Sequence, residues 1–164
     1  MEDVWRESVW RQFGAALEML GNAVRACPAE LWGGRGRAPE FWYVVFHTLF
    51  FTDLYLSGKV EGFKPPEPFT LDELDPAGLM PERVYTKEEM LGYLRHCREK
   101  CRATAGALTD ERARARCVFR WGEVSFAELL LYNLRHVQHH AGQLNLMLRH
   151  GTDAAPGWVC AAEC

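Results

Sequence analysis

The chain has 164 residues, 48% hydrophobic and 25% charged, with a formal net charge of -3. That suffices for one globular domain with a full core and not for two, and the charge excludes an electrostatic case for nucleic acid or an anionic membrane. The opening MEDVWRES is acidic and polar, unlike a secretory signal, and the longest apolar run, Phe41 to Leu56, contains His47, Thr48 and Asp53 and falls short of the roughly 20 residues that span a bilayer. A cytoplasmic protein is the expectation.

The first predicted helix covers Glu2 to Ala26, where Trp5, Val9, Phe13, Leu17, Leu20 and Val24 recur at spacings of three and four, the mark of one buried face. Pro28 and the glycines of CPAELWGGRGRAP end it. The Gly33 to Arg37 stretch reads as a flexible connection, because it lacks the strand and helix context of a phosphate-binding loop. A second helix is predicted from Pro39, suited to a first turn, to Leu56, with Gly58 as its stop. It is apolar nearly all round and is expected to be the most buried.

The connection from Ser57 to Tyr85 carries Pro65, Pro66, Pro68, Pro76 and Pro81. It far exceeds the usual connection of about 4–6 residues, which suits a lid or a crossover between helices. Phe63, Phe69, Leu71, Leu74 and Leu79 are expected to anchor it across the bundle. Thr86 and Glu89 form a capping box, opening a third helix that runs to Leu108 with Met90, Tyr93 or Leu94, Cys97, Cys101 and Ala105 facing inward. A polar bridge with Arg112, Arg114 and Arg116 follows and reads as solvated. Cys117 to Trp121 is short and extended, with a hairpin turn at Gly122. Ser125 and Glu128 repeat the capping box and open a fourth helix to His150, with Gly151 as its stop. Residues 152–164 are expected to form a peripheral, loosely held tail. The predicted fold is all-α: a single domain over 1–164, a four-helix bundle with a long crossover connection between helices 2 and 3.

His136 and His140 lie one turn apart on the fourth helix, on a stripe with Leu129, Tyr132, Gln143 or Leu144, and Met147. They therefore point inward and can grip one metal ion. His139 competes with His140, since spacing three also brings histidines together. His47 sits mid-segment in FWYVVFHTLFF, on a stripe with Tyr43, Val44, Phe50 or Phe51, and Leu54, where an imidazole is costly unless something satisfies it. Three neutral imidazoles with an open fourth position describe a metal site that can do chemistry. Zinc and nickel both suit imidazole, and the sequence does not choose between them. Tyr132 and Asp53 are candidates to hydrogen-bond into the site or orient a ligand, while His96 and His150 read as solvated.

The six cysteines read as reduced thiols. The pairs Cys97/Cys101 and Cys160/Cys164 share a spacing of four and can be imagined as a zinc site, but structural zinc cysteines usually come on turns rather than mid-helix.

One histidine in the second helix, a long crossover and then HVQHHAGQL in the fourth together resemble the DinB/YfiT-like superfamily of metal-binding four-helix bundles. The resemblance spans nearly the whole chain, and its most specific element is His136 to His140 followed by Gly142-Gln143-Leu144. It implies that His47, His136 and His140 are the metal ligands. It also implies a range of activities, among them thiol-dependent S-transferases and an isomerase using low-molecular-weight thiols. Three functions follow as expectations: a metal-dependent enzyme activating a small thiol for transfer to a small electrophilic substrate; a metal-dependent hydrolase; or a non-catalytic metal-binding bundle acting through protein contacts. Apolar faces left over on the first helix would suit a homodimer.

Overall fold

The structure is a computed structural model that describes residues 2–33 and 39–163. Most of the Gly33 to Arg37 connection, and Cys164, lie outside the described residues. The fold is mostly helical, with helices α1 (Glu2–Ala26), α2 (Ala29–Trp32), α3 (Phe41–Ser57), α4 (Lys87–Gly106), α5 (Asp110–Arg114) and α6 (Phe126–Thr152). One two-stranded sheet joins them, β1 (Arg116–Phe119) with β2 (Gly122–Ser125).

The four long helices pack mainly in the pairs α1 with α6, α1 with α4, α3 with α6, and α3 with α4. Helices α3 and α4 run in the same direction: Cys97 meets the Leu49 carbonyl and, further along both helices, Lys100 meets Asp53 and Ser57. Helix α6 runs against α3, since Asn133 donates to the Thr52 carbonyl while His140, further along, stands beside His47. Two parallel neighbours require a connection that returns the chain along the length of the helices, which explains the extent of residues 58–86.

That connection holds on by aromatic contacts. Phe63 packs on Phe50, Phe69 lies between Phe46 and Tyr93, and Tyr85 stands against Phe46 and Trp42. Leu71 and Leu79, expected among its anchors, are exposed. The anchoring is done by rings long enough to reach the α3–α4 groove.

Helix limits follow local chemistry. Thr86 and Glu89 form the complete capping box, with the Glu89 amide donating to Thr86 Oγ1 at 3.2 Å and the Thr86 amide to Glu89 Oε2 at 2.7 Å. At the start of α6, Ser125 Oγ accepts from the Glu128 amide. Gly58 ends α3 at φ 76°, a left-handed conformation that glycine adopts without steric cost. Pro39 falls before α3 rather than in its first turn, because Glu40 takes the N-cap position. Helix α6 runs past Gly151 and ends where Asp153 turns left-handed at φ 57°. The hairpin turns on Arg120 and Trp121, just ahead of Gly122.

Two expectations about the surface need correction. The last residues are tied to α1 rather than loosely held: the Ala162 amide donates to the Arg11 carbonyl at 2.8 Å, Trp10 Nε1 to the Glu163 carbonyl at 3.0 Å, and Gln12 to the Cys160 carbonyl at 3.2 Å. Gly14 permits this approach, since a Cβ there would lie 2.6 Å from that of Ala162. Among the described residues of α1, Val4 is the one large apolar side chain left strongly exposed, so the leftover apolar face expected to carry a homodimer is not there.

Candidate metal centre

His47 projects from the middle of α3 toward α6, where His136 and His140 project back from successive turns. The ring centroids stand 5.5 Å apart for His47 and His136, 5.0 Å for His47 and His140, and 4.7 Å for His136 and His140. One ligand nitrogen from each of the three lies within 4.8 Å of the others, which makes them the candidate metal-holding group among the described residues. His139 is exposed, with its ring against His140, and among the described residues it stays outside the group.

The cluster sits at the edge of the core rather than in its centre. On α6 the buried stripe is Leu130, Asn133, Val137, Ala141, Leu144 and Leu148, while Tyr132, His136, His140 and Met147 are only partly buried beside it. His47 keeps 31% of its side chain exposed. A helix buried on nearly every side still has one flank where it meets its neighbour's edge, and His47 occupies that flank of α3.

Two neighbours fix the rings. Glu73, in a short 3-10 turn at Asp72–Leu74 of the connection between α3 and α4, places Oε2 2.7 Å from His47 Nδ1, and its side chain is only 4% exposed. A carboxylate there accepts a hydrogen bond from Nδ1–H, which leaves the ring's lone pair on Nε2. Gln143 Oε1 stands 2.7 Å from His140 Nδ1 and selects the same tautomer. Both nitrogens of His136 are buried and have no hydrogen-bond partner among the described residues, an uncommon state for a polar group and a costly one. Burial, reinforced by the charges of His140, His47 and His139, pushes the His136 pKa down to about 3. Burial likewise pushes His140 down to about 4, against the raising effect of the Gln143 bond. Both rings are therefore neutral near pH 7, the form in which imidazole binds metal.

Rings line the approach to the cluster. Phe51 stands 4.9 Å from His47 and 6.2 Å from His136, and Tyr55 lies 6.1 Å from His136. The hairpin brings Phe119 and Trp121 over Tyr55, with Trp121 Nε1 donating to the Tyr55 hydroxyl and the indole stacked on Tyr132 at 4.4 Å. Between the hairpin, α3 and the Glu73 turn is a cavity of about 470 Å³, lined in part by Phe51, Tyr55, Glu73 and Trp121.

The other sequence candidates fall elsewhere. Asp53 orients no histidine of the cluster and does not face water; it is 1% exposed and receives Lys100 Nζ at 2.5 Å and the Tyr93 hydroxyl at 3.2 Å, with His96 Nε2 at 3.3 Å. That pairing also corrects the purely solvated reading of His96. Tyr132 joins the aromatic wall through Trp121 and Tyr55. Cys97 and Cys101 are buried, free thiols whose pKa burial raises, and no cysteine joins a metal-holding group among the described residues. Sequence reading missed Glu73, which lies in a proline-rich stretch without periodicity, 26 residues from its partner. The role of Gln143 was legible in principle, because spacing three on a helix sets it beside His140.

A family model described as the DinB superfamily matches residues 8–144. None of the curated proteins matches the chain. Among solved structures, the crystal structure of a DinB-like protein from Bacillus subtilis, YjoA, at 2.30 Å resolution superposes with a TM-score of 0.61. The two share 17% identity over 90% of this chain and 95% of that one, a likeness of fold. With the match to the family model extending over most of its length, the chain belongs to the DinB superfamily.

Proposed function

We propose that this protein is a four-helix bundle of the crossover type in which His47, His136 and His140 hold one divalent transition metal, zinc or nickel, and that the centre serves an enzyme transferring a low-molecular-weight thiol to a small electrophilic substrate. The observation that carries the reading is His136. Its two buried nitrogens have no hydrogen-bond partner among the described residues, and they face two imidazoles whose tautomers are already set by Glu73 and Gln143. A core histidine would be expected to bond a carbonyl or carboxylate; this one suits a metal.

His47, His136 and His140 would hold the ion, which when bound would lower the pKa of a thiol or water and so supply a nucleophile near neutral pH. The chain's own residues do the rest. Glu73 and Gln143 keep the rings oriented, while Phe51, Tyr55 and Trp121 limit water on the cavity side. The cavity beside the cluster favours catalysis over a purely structural metal, and the choice of thiol over water rests on the resemblance to thiol-dependent S-transferases.

Elemental analysis of tag-free protein tests the centre. About one equivalent of zinc or nickel, lost in His47→Ala and His140→Ala while far-UV circular dichroism stays unchanged, is the expected result. Protein that takes up neither metal when supplied overturns it. Turnover of electrophiles only when a thiol is present supports the transferase, and turnover without one makes the protein a hydrolase.

A further inference from the structure

Each of the three histidines offers one ring nitrogen to the cluster, and two of them have the other nitrogen held. Glu73 holds His47 Nδ1 and Gln143 holds His140 Nδ1, each at 2.7 Å. His136 has no such partner among the described residues. Metal-binding histidines almost always give the second ring N–H to a carboxylate, carbonyl or water, which fixes the ring and raises its basicity. The third acceptor of the set is still to be found.

Asn133 has an acceptor to spare. It lies three residues before His136 on α6, is 0% exposed, and its Oδ1 is buried with no hydrogen-bond partner among the described residues. Its Nδ2 donates to the Thr52 carbonyl at 3.0 Å. A carbonyl can only accept, so the amide nitrogen must face Thr52 and the amide oxygen is turned away from it. Residues three apart on a helix are neighbours, and a helical side chain leans over the turn before it, so the His136 ring leans toward Asn133. The same spacing already joins His140 to Gln143. Ring and amide also meet one stretch of α3: His136 stands 6.2 Å from Phe51 and 6.1 Å from Tyr55, and Asn133 is bonded to Thr52 between them. Two orphaned polar groups, one able to donate and one able to accept, thus share one buried site.

We infer that Asn133 is the positioning residue for His136: with Nε2 given to the metal, Nδ1–H donates to Asn133 Oδ1. The ring is then locked in the tautomer that Glu73 and Gln143 impose on its two neighbours. The two groups are not bonded to each other in the structure, so the bond is one that forms as the centre is loaded. The inference rests on the proposed metal centre.

Asn133→Leu tests it, because it removes the acceptor at similar volume and leaves the Thr52 carbonyl inside a helix that supplies its own donor. Asn145→Leu is the control, since Asn145 also carries a buried, unpartnered Oδ1 on α6. Competition against a chromogenic chelator should show zinc affinity about tenfold weaker in Asn133→Leu and unchanged in Asn145→Leu. Long-range proton–nitrogen correlation spectra of zinc-loaded, ¹⁵N-labelled wild type should show His136 bound through Nε2 with a protected proton on Nδ1. In Asn133→Leu that proton should exchange faster, a change that loss of core packing would not produce. Equal affinity in wild type and Asn133→Leu, an equal loss in Asn145→Leu, or zinc on His136 Nδ1 would overturn the assignment while leaving the metal centre standing. A wild-type protein that takes up no zinc or nickel would instead refute the centre, and the role of Asn133 with it.

Discussion

Replacing His136 with leucine should make the metal-free protein more stable and, at the same time, unresponsive to metal. Both ring nitrogens of His136 are buried without a hydrogen-bond partner among the described residues, and an unsatisfied buried polar group costs about 1–3 kcal/mol. Leucine has a similar volume, and its methyl groups would meet the rings of Phe51 and Tyr55 that already flank the site. In a chain of this size each kcal/mol moves Tm by about 2–4 °C. The chelator-treated variant should therefore melt roughly 2–12 °C above chelator-treated wild type. Metal about a hundredfold above Kd adds about 2.7 kcal/mol to a protein that binds it only when folded, so wild type should gain roughly 5–11 °C and the variant nothing. Thermal melts by circular dichroism, with chelator and with added zinc or nickel, read both effects. A metal-free variant that melts lower than wild type would mean that the nitrogens are satisfied in solution. A variant that still responds to metal would place the ion elsewhere.

Glu73→Gln should weaken metal affinity by about 10–100-fold without changing the helical circular dichroism signal, because an amide holds the His47 tautomer less firmly than a carboxylate; competition against a chromogenic chelator measures it. Lys100→Met leaves the Asp53 carboxylate buried with only Tyr93 and His96 and should cost about 3 kcal/mol, seen as a lower urea midpoint with an unchanged slope. Thr86→Ala should remove about 1 kcal/mol by taking the cap from α4. The Arg83 bond, with further help from Thr86, holds the Glu89 pKa at about 2, below its ordinary value. A depressed carboxylate contributes stability that is fully present above its unfolded pKa and lost as pH falls through the folded value, so Glu89→Gln should flatten the loss of stability between about pH 4.5 and 2. A variant as acid-sensitive as wild type across that window would dismiss the Arg83–Glu89 contribution.

The helices, and with them much of the candidate centre, could be read from local pattern. Apolar residues at spacings of three and four placed Phe13, Leu17 and Leu20 in the core, and Met90, Cys97 and Cys101 on the inner face of α4. Two hydroxyl caps marked the starts of α4 and α6. These signals are local: a cap needs its own amide three residues on, and a stripe needs only the helical period. The same period put His136 and His140 on one flank, one turn apart.

What the sequence could not decide is whatever depends on residues distant along the chain. A stripe is a set of directions about a helix axis, and it does not distinguish the centre of a core from its edge; only the pairing of α3 with α6 put the histidines at the rim, with an approach from outside. Asp53 was an isolated acid in an apolar run until α4, set parallel to α3, brought Lys100 to it. Glu73 lies in a segment with no period to read, and it became the partner of His47 because aromatic anchors fold the connection between α3 and α4 back over α3. The hairpin likewise had to be laid across Tyr55 before Arg120 and Trp121 could define a cavity. Local physics chose the helices and the residue types, and the packing of parallel and antiparallel neighbours chose which of those residues meet.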